Sequence, residues 1–323
     1  MSSTTPTSHL DQTLRPILWE EYVGQSKVKE NLRILLTAAR ERGHAAEHIL
    51  LYGPPGLGKT TLAHLIARTL GTNMRITSGP AIERVGDLAA ILTNLAPGDV
   101  LFIDEIHRLS KSIEEVLYPA MESGVLDIII GKGPSARTVQ LDLPPFTLVA
   151  ATTRISLLSA PLRSRFSGGT FRLEFYSDDE MITILKRSAS VLGIPADDVV
   201  FSHIASRSRA TPRTANYLLK RCRDLAQLEG SELTASIIDR TFALLDIDTK
   251  GLHAPDRELL RTIIEKFKGG PVGLNTLAAA LSEEQATIED VIEPYLLRLG
   301  LIERSPRGRM ATHKAYEHLE REG

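Results

Sequence analysis

Eight consecutive residues, Gly53-Pro54-Pro55-Gly56-Leu57-Gly58-Lys59-Thr60, satisfy every constrained position of the phosphate-loop pattern G-x-x-x-x-G-K-[ST]. Glycines let such a loop curl until its N–H groups point inward at nucleotide phosphates. Lys59 adds a mobile positive charge for the β- and γ-phosphates, and the Thr60 hydroxyl is a ligand for Mg²⁺. A second constellation follows the apolar run Val100-Leu101-Phe102-Ile103. Asp104 stands where a buried strand would end, the place from which a carboxylate can hold Mg²⁺. Glu105 is then placed to polarise an attacking water. His107 follows, but phosphoryl transfer does not require a histidine, so packing or support is its expected role. Thr152-Thr153-Arg154 closes another apolar run, and a polar residue there can hold the lytic water or sense the γ-phosphate. Arg163 and Arg165 lie two apart near an expected helix end. An arginine there is either solvated surface or the charge that a phosphoryl transition state needs, supplied to a neighbouring subunit. Spacing does not choose between them. Arg213, just after Thr211-Pro212, is placed to close onto the same phosphates.

These groups need elements to carry them. His48–Tyr52 reads as a buried strand entering the phosphate loop, and Thr61–Leu70 as the helix leaving it, ending at Gly71. A strand feeding a helix N-terminus presents anion-binding amides. From about Leu14 to Tyr176 short apolar runs alternate with helical patterns, which predicts a P-loop α/β domain over residues 1–176 with its ligand at the carboxyl ends of parallel strands. Residues 177–248 read as helices alone, one opening at Asp178-Asp179-Glu180 and another at Pro212, giving an all-helical lid. Residues 249–323 carry helical patterns at Asp256–Phe267, Leu274–Leu281 and Ile288–Leu299, then two short strands flanking Ser305-Pro306-Arg307-Gly308-Arg309. That order predicts a winged helix.

Composition narrows the setting. The 323 residues suffice for two or three domains, and 42% hydrophobic content is ample for packed cores. With a net charge of −2, any nucleic-acid contact must come from local patches. A single cysteine, Cys222, excludes an internal disulfide framework and fits a reducing cytosol, so a cytoplasmic location is expected. Its surroundings suggest no chemistry. No apolar run reaches the ~18 residues of a membrane span. Met1 to Asp11 is Ser/Thr-rich and reads as a loose tail.

The combined motifs resemble the AAA+ ATPases, and within them the motor subunits of bacterial Holliday-junction branch-migration complexes. The matching segments are Gly53–Thr61, Leu101–Arg108, Ala151–Arg154 and Pro161–Phe166 in the ATPase core. Gly269–Leu274 and Pro306–Thr312 match outside it and separate these motors from other AAA+ proteins. The resemblance implies that Leu14 and Arg15 contact the base region, and that Gly56, Lys59, Thr60 and Thr61 hold phosphates, with Thr60 and Asp104 on Mg²⁺. It implies that Asp104 and Glu105 are the acidic pair, that Thr152-Thr153 form the first sensor, and that Arg165 is the finger acting in trans. Glu122-Ser123-Gly124, Tyr176 and Arg213 match further nucleotide contacts, Arg213 as the second sensor. Arg304 and Arg309 match DNA-contacting positions. Val125–Leu143, turning at Gly131-Lys132-Gly133-Pro134, resembles the hairpin that docks RuvA. ATP, Mg²⁺, branched DNA, RuvC and a homo-hexameric ring serving recombination and repair are implied in the same way. The chain departs from the family where Ser167 precedes Gly168-Gly169 and where Glu122-Ser123-Gly124 lacks the usual aromatic.

Charge makes the DNA argument independently. Arg298 to Lys314 holds five Lys/Arg against one acid, Glu303, and a basic hairpin suits phosphate contact without base reading. A second cluster, Arg207 to Arg223, has six Lys/Arg and no acid; because it contains Arg213, nucleotide sensing and subunit contact are favoured there. Two functions therefore stand: a ring-forming ATP-driven DNA translocase, and an AAA+ loader or remodeller whose winged helix binds protein. The basic wing and the docking hairpin favour the translocase.

Overall fold

A computed structural model describes residues 12–130 and 137–322. The tail reading for Met1–Asp11 and the turn at Gly131-Lys132-Gly133-Pro134 both lie wholly outside the described residues. The chain divides between Glu174 and Phe175 into two compact units.

The first unit contains strands β1 (Ile49–Tyr52), β2 (Met74–Ser78), β3 (Val100–Asp104), β4 (Val125–Ile130), β5 (Arg137–Asp142), β6 (Thr147–Thr152) and β7 (Thr170–Arg172). Five of them form one parallel sheet in the order β2-β3-β6-β1-β7, while β4 and β5 pair as a separate antiparallel hairpin. Unbroken burial explains the central strands. Every residue of β6 is buried, as are Val100–Ile103 of β3 and Ile49–Leu51 of β1, so both faces must be covered by helices. The covering helices are α1 (Ser26–Arg42), α2 (Lys59–Leu70), α3 (Val85–Thr93), α4 (Lys111–Ser123) and α5 (Ala160–Ser164). α2 buries Leu62, Ala63, Leu65 and Ile66, and α4 buries Ile113, Leu117, Ala120 and Met121, the i, i+3/i+4 spacing of a helix against a sheet. Register then aligns strand ends: Tyr52 of β1 lies opposite Thr152 of β6, and Ile103 of β3 opposite Ala150.

His48, just before β1, is a polar residue inside this core. Its Nδ1 accepts the Leu148 N–H at 2.9 Å, so the other nitrogen carries the proton and donates to the Met121 carbonyl at 3.1 Å. The ring therefore ties the start of β1 to β6 and to the end of α4. Burial lowers its pKa, against smaller opposing effects of the Met121 carbonyl and Glu47.

The second unit begins with α6 (Asp178–Leu192), α7 (Asp198–Ala205), α8 (Pro212–Glu229) and α9 (Ala235–Leu244). α6 starts as its acidic residues predict. Ser177 Oγ accepts the Glu180 N–H at 3.2 Å and the Glu180 carboxylate accepts the Ser177 N–H at 2.8 Å. Cys222 is buried on α8 with its thiol pushed up to about 11, chiefly by burial, which leaves it an inert core residue. Next come α10 (residues 254–266), α11 (Leu274–Leu281), α12 (residues 285–299), the hairpin β8 (Ile302–Ser305) and β9 (Gly308–Ala311), and α13 (His313–Glu322).

Two helices start earlier than the hydrophobic period predicts. α10 opens at Ala254 because the Asp256 carboxylate accepts the His253 N–H at 2.8 Å, and it finishes in a π turn over Thr262–Lys266. α12 opens at Gln285 and carries a π turn over Ile288–Ile292. The hairpin also gains an edge partner. Val272 exchanges both backbone hydrogen bonds with Arg309, at 2.9 and 2.8 Å. Leu259, Leu260, Ile263, Leu277, Ile288 and Leu296 are among the side chains that fill the core beneath it. Among the described residues no helix is long and apolar enough to cross a membrane.

Acid should destabilise the protein in a specific window. The folded His48 pKa is below its ordinary value of about 6.5, so the unfolded chain takes up a proton first. Stability is then fully present above about pH 6.5 and is lost as pH falls below it. His64 and His253 are also lowered, first by burial, and act with the same sign. Thermal midpoints should fall between about pH 7.5 and about pH 5.5, and His48→Gln should flatten that fall. An unchanged slope in the variant would remove His48 from the effect.

Candidate functional site

The phosphate loop connects the end of β1 to the first turn of α2, as strand and helix patterning predict. Gly58 has φ 96°, and a Cβ there would lie 2.9 Å from the Tyr22 hydroxyl. That hydroxyl donates to the Leu57 carbonyl at 3.3 Å, bracing the loop from outside. Lys59 is buried, and its ammonium donates to the Gly53 and Pro54 carbonyls at 2.8 and 2.9 Å. The charge is thereby held over the bend of the loop. Thr60 and Thr61 are half-buried in the first turn of α2, where helix amides and the positive end of the helix dipole coincide.

Leu14 is buried, and the Arg15 guanidinium meets His64 Nε2 on α2 at 3.0 Å. Burial, and then the Arg15 charge, lower the His64 pKa, so the ring stays a neutral acceptor. The segment around Leu14 and Arg15 is thus pinned to the helix that follows the phosphate loop. Trp19 Nε1 adds a hydrogen bond to Thr69 Oγ1 at 2.7 Å.

The acidic pair stands at the end of β3. Asp104 Oδ1 accepts the Glu105 N–H at 3.0 Å. Glu105 adopts φ 48°, a left-handed conformation that costs a non-glycine residue about 1–3 kcal/mol and is retained only where surroundings impose it. Its carboxylate accepts the Thr153 hydroxyl at 3.2 Å and lies 3.2 Å from His107 Nδ1. His107 Nδ1 is in turn 2.8 Å from Thr152 Oγ1. The two threonines therefore differ in reach: Thr153 touches Glu105 directly, whereas Thr152 reaches it through His107. His107 links the segment after β3 to the end of β6. Oxygen ligands at Thr60 and Asp104, an ammonium and a braced positive-φ loop are a donor set that fits a triphosphate with a hard divalent cation.

The structure also distinguishes the two candidate finger arginines. Arg163 is exposed on α5, while Arg165 is half-buried at its end. Arg165 donates to the Pro161 carbonyl at 2.7 Å and to Glu122 at 2.9 Å. Glu122, Ser123 and Gly124 form the end of α4, so Glu122, expected at nucleotide, is engaged by Arg165 of its own chain. Behind Arg165, the departing Ser167-Gly168-Gly169 segment is tightly held. Gly168 N–H donates to the His48 carbonyl at 2.9 Å, and a Cβ on Gly168 would stand 2.8 Å from the Glu47 carbonyl.

Tyr176 and Arg213 belong to the second unit. Tyr176 is buried; its N–H donates to the Ala210 carbonyl at 3.2 Å and its carbonyl accepts Arg298 Nη2 at 2.7 Å. Arg213 is exposed in the first turn of α8. Its basic neighbours are largely committed: Arg207 pairs with Asp239, Arg209 with Asp256, and Arg221 and Arg223 with Asp224.

On the wing, Arg304 and Arg309 converge on one carboxylate. Glu293 of α12 is 0% exposed and accepts both guanidinium groups, Arg309 Nε at 2.5 Å and Arg304 Nε at 3.0 Å. Glu289 adds a contact to Arg309 at 3.2 Å. Hydrogen bonding to Glu293 is the largest cause raising the Arg309 pKa. The Arg304 side chain remains 49% exposed and that of Arg309 only 14%. Motif reading missed Glu293, Tyr22 and His64, because each acts through a contact between distant segments. The i, i+4 spacing of Glu289 and Glu293, in an acidic stretch just ahead of the basic hairpin, was the one available signal.

A phosphate loop, an acid pair on another parallel strand of the same sheet, a helical bundle and a winged helix together define an AAA+ ATPase with an appended nucleic-acid-type module. Residues 14–173 match the family described as Holliday junction DNA helicase RuvB P-loop domain, residues 176–248 the RuvB AAA lid domain, and residues 249–320 the RuvB C-terminal winged helix domain. The chain belongs to the RuvB family. It is 59% identical over 316 residues to the Holliday junction branch migration complex subunit RuvB of Dehalococcoides mccartyi (strain CBDB1), covering 98% of this chain and 90% of that one. The Thermotoga maritima RuvB Holliday junction branch migration motor is 50% identical with a TM-score of 0.88, over 96% of this chain and 99% of that one. A point variant of the same motor gives a TM-score of 0.87 at 50% identity, over 95% and 98%.

Gly58→Ala should weaken nucleotide binding by about tenfold or more, through positive φ and the clash with Tyr22. Adding Tyr22→Phe, which removes the clashing oxygen, should restore part of it. Titration with a fluorescent ATP analogue measures both; equal affinity of Gly58→Ala and the unaltered chain would contradict this account of the loop.

Proposed function

We propose that this chain is the ATP-driven motor of a Holliday-junction branch-migration complex, moving branched DNA during recombination and repair. The observation that carries the reading is the coexistence of a complete hydrolytic edge, Lys59 with Asp104, Glu105 and Thr153, and a winged helix whose hairpin is basic. Three functional parts follow: an ATPase core over 1–176, a lid over 177–248 and a DNA-binding head over 249–323.

In this reading the loop amides at Gly56, Lys59, Thr60 and Thr61 hold the phosphates, and the Lys59 ammonium exchanges its carbonyl partners for β- and γ-oxygens. Thr60 and Asp104 hold Mg²⁺, which neutralises phosphate charge when bound. Glu105, oriented by Thr153 and by His107, accepts a hydrogen bond from the attacking water and aims it at the γ-phosphorus. Leu14 and Arg15 contact the base region, and Tyr176 is a further nucleotide contact. Arg213 is the second sensor, a nucleotide contact from the lid. Arg165, with Glu122, Ser123 and Gly124, faces the nucleotide of the next subunit in a homo-hexameric ring, so hydrolysis requires assembly.

The hairpin of β4 and β5, within Val125–Leu143, is the proposed dock for RuvA, with RuvC joining the same cytoplasmic complex. Support for the hairpin comes from its separation from the main sheet and from Val139, an exposed apolar residue on β5. For DNA, Arg304 is the better placed of the two wing arginines. Arg309 is nearly enclosed, and its replacement would leave Glu293 buried with one partner fewer.

A junction-unwinding assay with ATP and RuvA tests the motor. Lys59→Ala should abolish branch migration; migration at the unaltered rate would refute the motor reading and leave a loader or remodeller. Arg304→Ala should lower the slope of log affinity for DNA against log salt by about one. Arg309→Ala should instead lower thermal stability, by about 2–4 kcal/mol, with a smaller change in slope. Two unchanged slopes would exclude both residues as phosphate contacts.

A further inference from the structure

Arg165 is held more firmly than a surface arginine needs to be. Its guanidinium carbon lies 4.5 Å from the centre of the Tyr118 ring, and Nε is buried with no hydrogen-bond partner among the described residues. The ring below it is itself anchored at the far end. Tyr118 Oη is 3.0 Å from Glu114 Oε2 and 2.9 Å from Ser159 Oγ, while Ser159 Oγ donates to the same carboxylate oxygen at 2.7 Å. Both hydroxyls donate to this one carboxylate oxygen, which brings Tyr118 Oη and Ser159 Oγ side by side. Glu114 is buried, and Ser159 also accepts the Leu162 N–H at 3.3 Å, capping α5. Glu114 and Tyr118 lie one turn apart on α4 and Ser159 begins α5. The triangle therefore locks the helix that carries the ring to the helix that carries the finger.

We propose that Tyr118, anchored by Glu114 and Ser159, is the positioning residue that presents Arg165 to the nucleotide of an adjoining copy of this chain. The proposal rests on Arg165 acting in trans. An arginine has many rotamers, and a finger displaced by about 1 Å can lose about a hundredfold in rate. A ring face beneath the guanidinium limits those rotamers while leaving the N–H edges available, because cation–π attraction uses none of them. Glu122 holds the outer edge, but it is exposed, and an exposed ion pair is weak enough to yield to a triphosphate. Tyr118 would remain in place when Glu122 lets go.

The test compares full-length Tyr118→Leu, Tyr118→Phe, Arg165→Ala and the Tyr118→Leu/Arg165→Ala double variant, by steady-state ATPase with branched DNA and by ATP-analogue affinity. Tyr118→Leu should lower kcat by about tenfold with the affinity of its own nucleotide site unchanged, and Tyr118→Phe by about threefold. The double variant should be no slower than Arg165→Ala, since one residue acts through the other. Wild-type kcat in Tyr118→Leu beside a slow Arg165→Ala would overturn the positioning role alone. Wild-type kcat in Arg165→Ala would overturn the finger and, with it, this proposal. Further slowing in the double variant, or a parallel loss of nucleotide affinity, would also overturn it. If Tyr118→Leu does not fold, Tyr118→Phe decides, since it keeps the ring and volume: unaltered kcat there counts against the anchored ring.

Discussion

Parallel pairing of β1, β6 and β3 is the constraint on which the hydrolytic site depends. All three strands are buried on both faces, so their backbone groups must be satisfied by one another. With the strands side by side and running the same way, their carboxyl ends reach a common edge, and the phosphate loop, Asp104 and Thr152-Thr153 arrive there together. A register slip would carry Thr153 away from Glu105 and dissolve the contact that orients the acid. Glu105 in its left-handed conformation is a consequence of the same edge. The chain turns there so that one carboxylate meets both Thr153 and His107, and the packed sheet behind it offsets the strain.

A second theme is the management of arginine. Arg165, Arg209 and Arg298 each lie over an aromatic ring, those of Tyr118, Tyr295 and Phe175, with guanidinium–centroid distances of 4.5, 4.6 and 4.9 Å. Arg209 also pairs with buried Asp256, and Arg304 and Arg309 with buried Glu293. A planar cation that is weakly hydrated and rich in donors suits both arrangements. Burying the carboxylate raises the stakes, because removing one partner strands a charge in an apolar setting. Clusters that read as solvated positive charge are therefore partly internal scaffolding, and charge counts along the chain overstate what is offered to DNA.

Much of the fold could be read from local pattern. The phosphate loop, β3 with its acid pair, the capping box at Ser177 and Glu180, and the start of α8 at Pro212 all depend on residues within a few positions of one another. The helices that differed, α10 and α12, did so at their first turns and at π turns, where Asp256 and the surrounding core rather than hydrophobic period set the geometry. The pairing of Val272 with Arg309 joins segments remote in the chain, and no local signal announces it.

The same division separates chemistry from placement. Residue types and spacing by themselves determined that a nucleotide is bound, that an acid pair closes a buried strand and that a basic wing follows, because loop curvature, helix amides and strand ends are short-range properties. Only tertiary structure decided that Thr153 rather than Thr152 touches Glu105, that Arg165 rather than Arg163 is held against Tyr118, and that Arg304 stays half exposed while Arg309 is enclosed. Each of those outcomes is a through-space contact between elements far apart in sequence, and its energy depends on burial and distance that no spacing along the chain encodes.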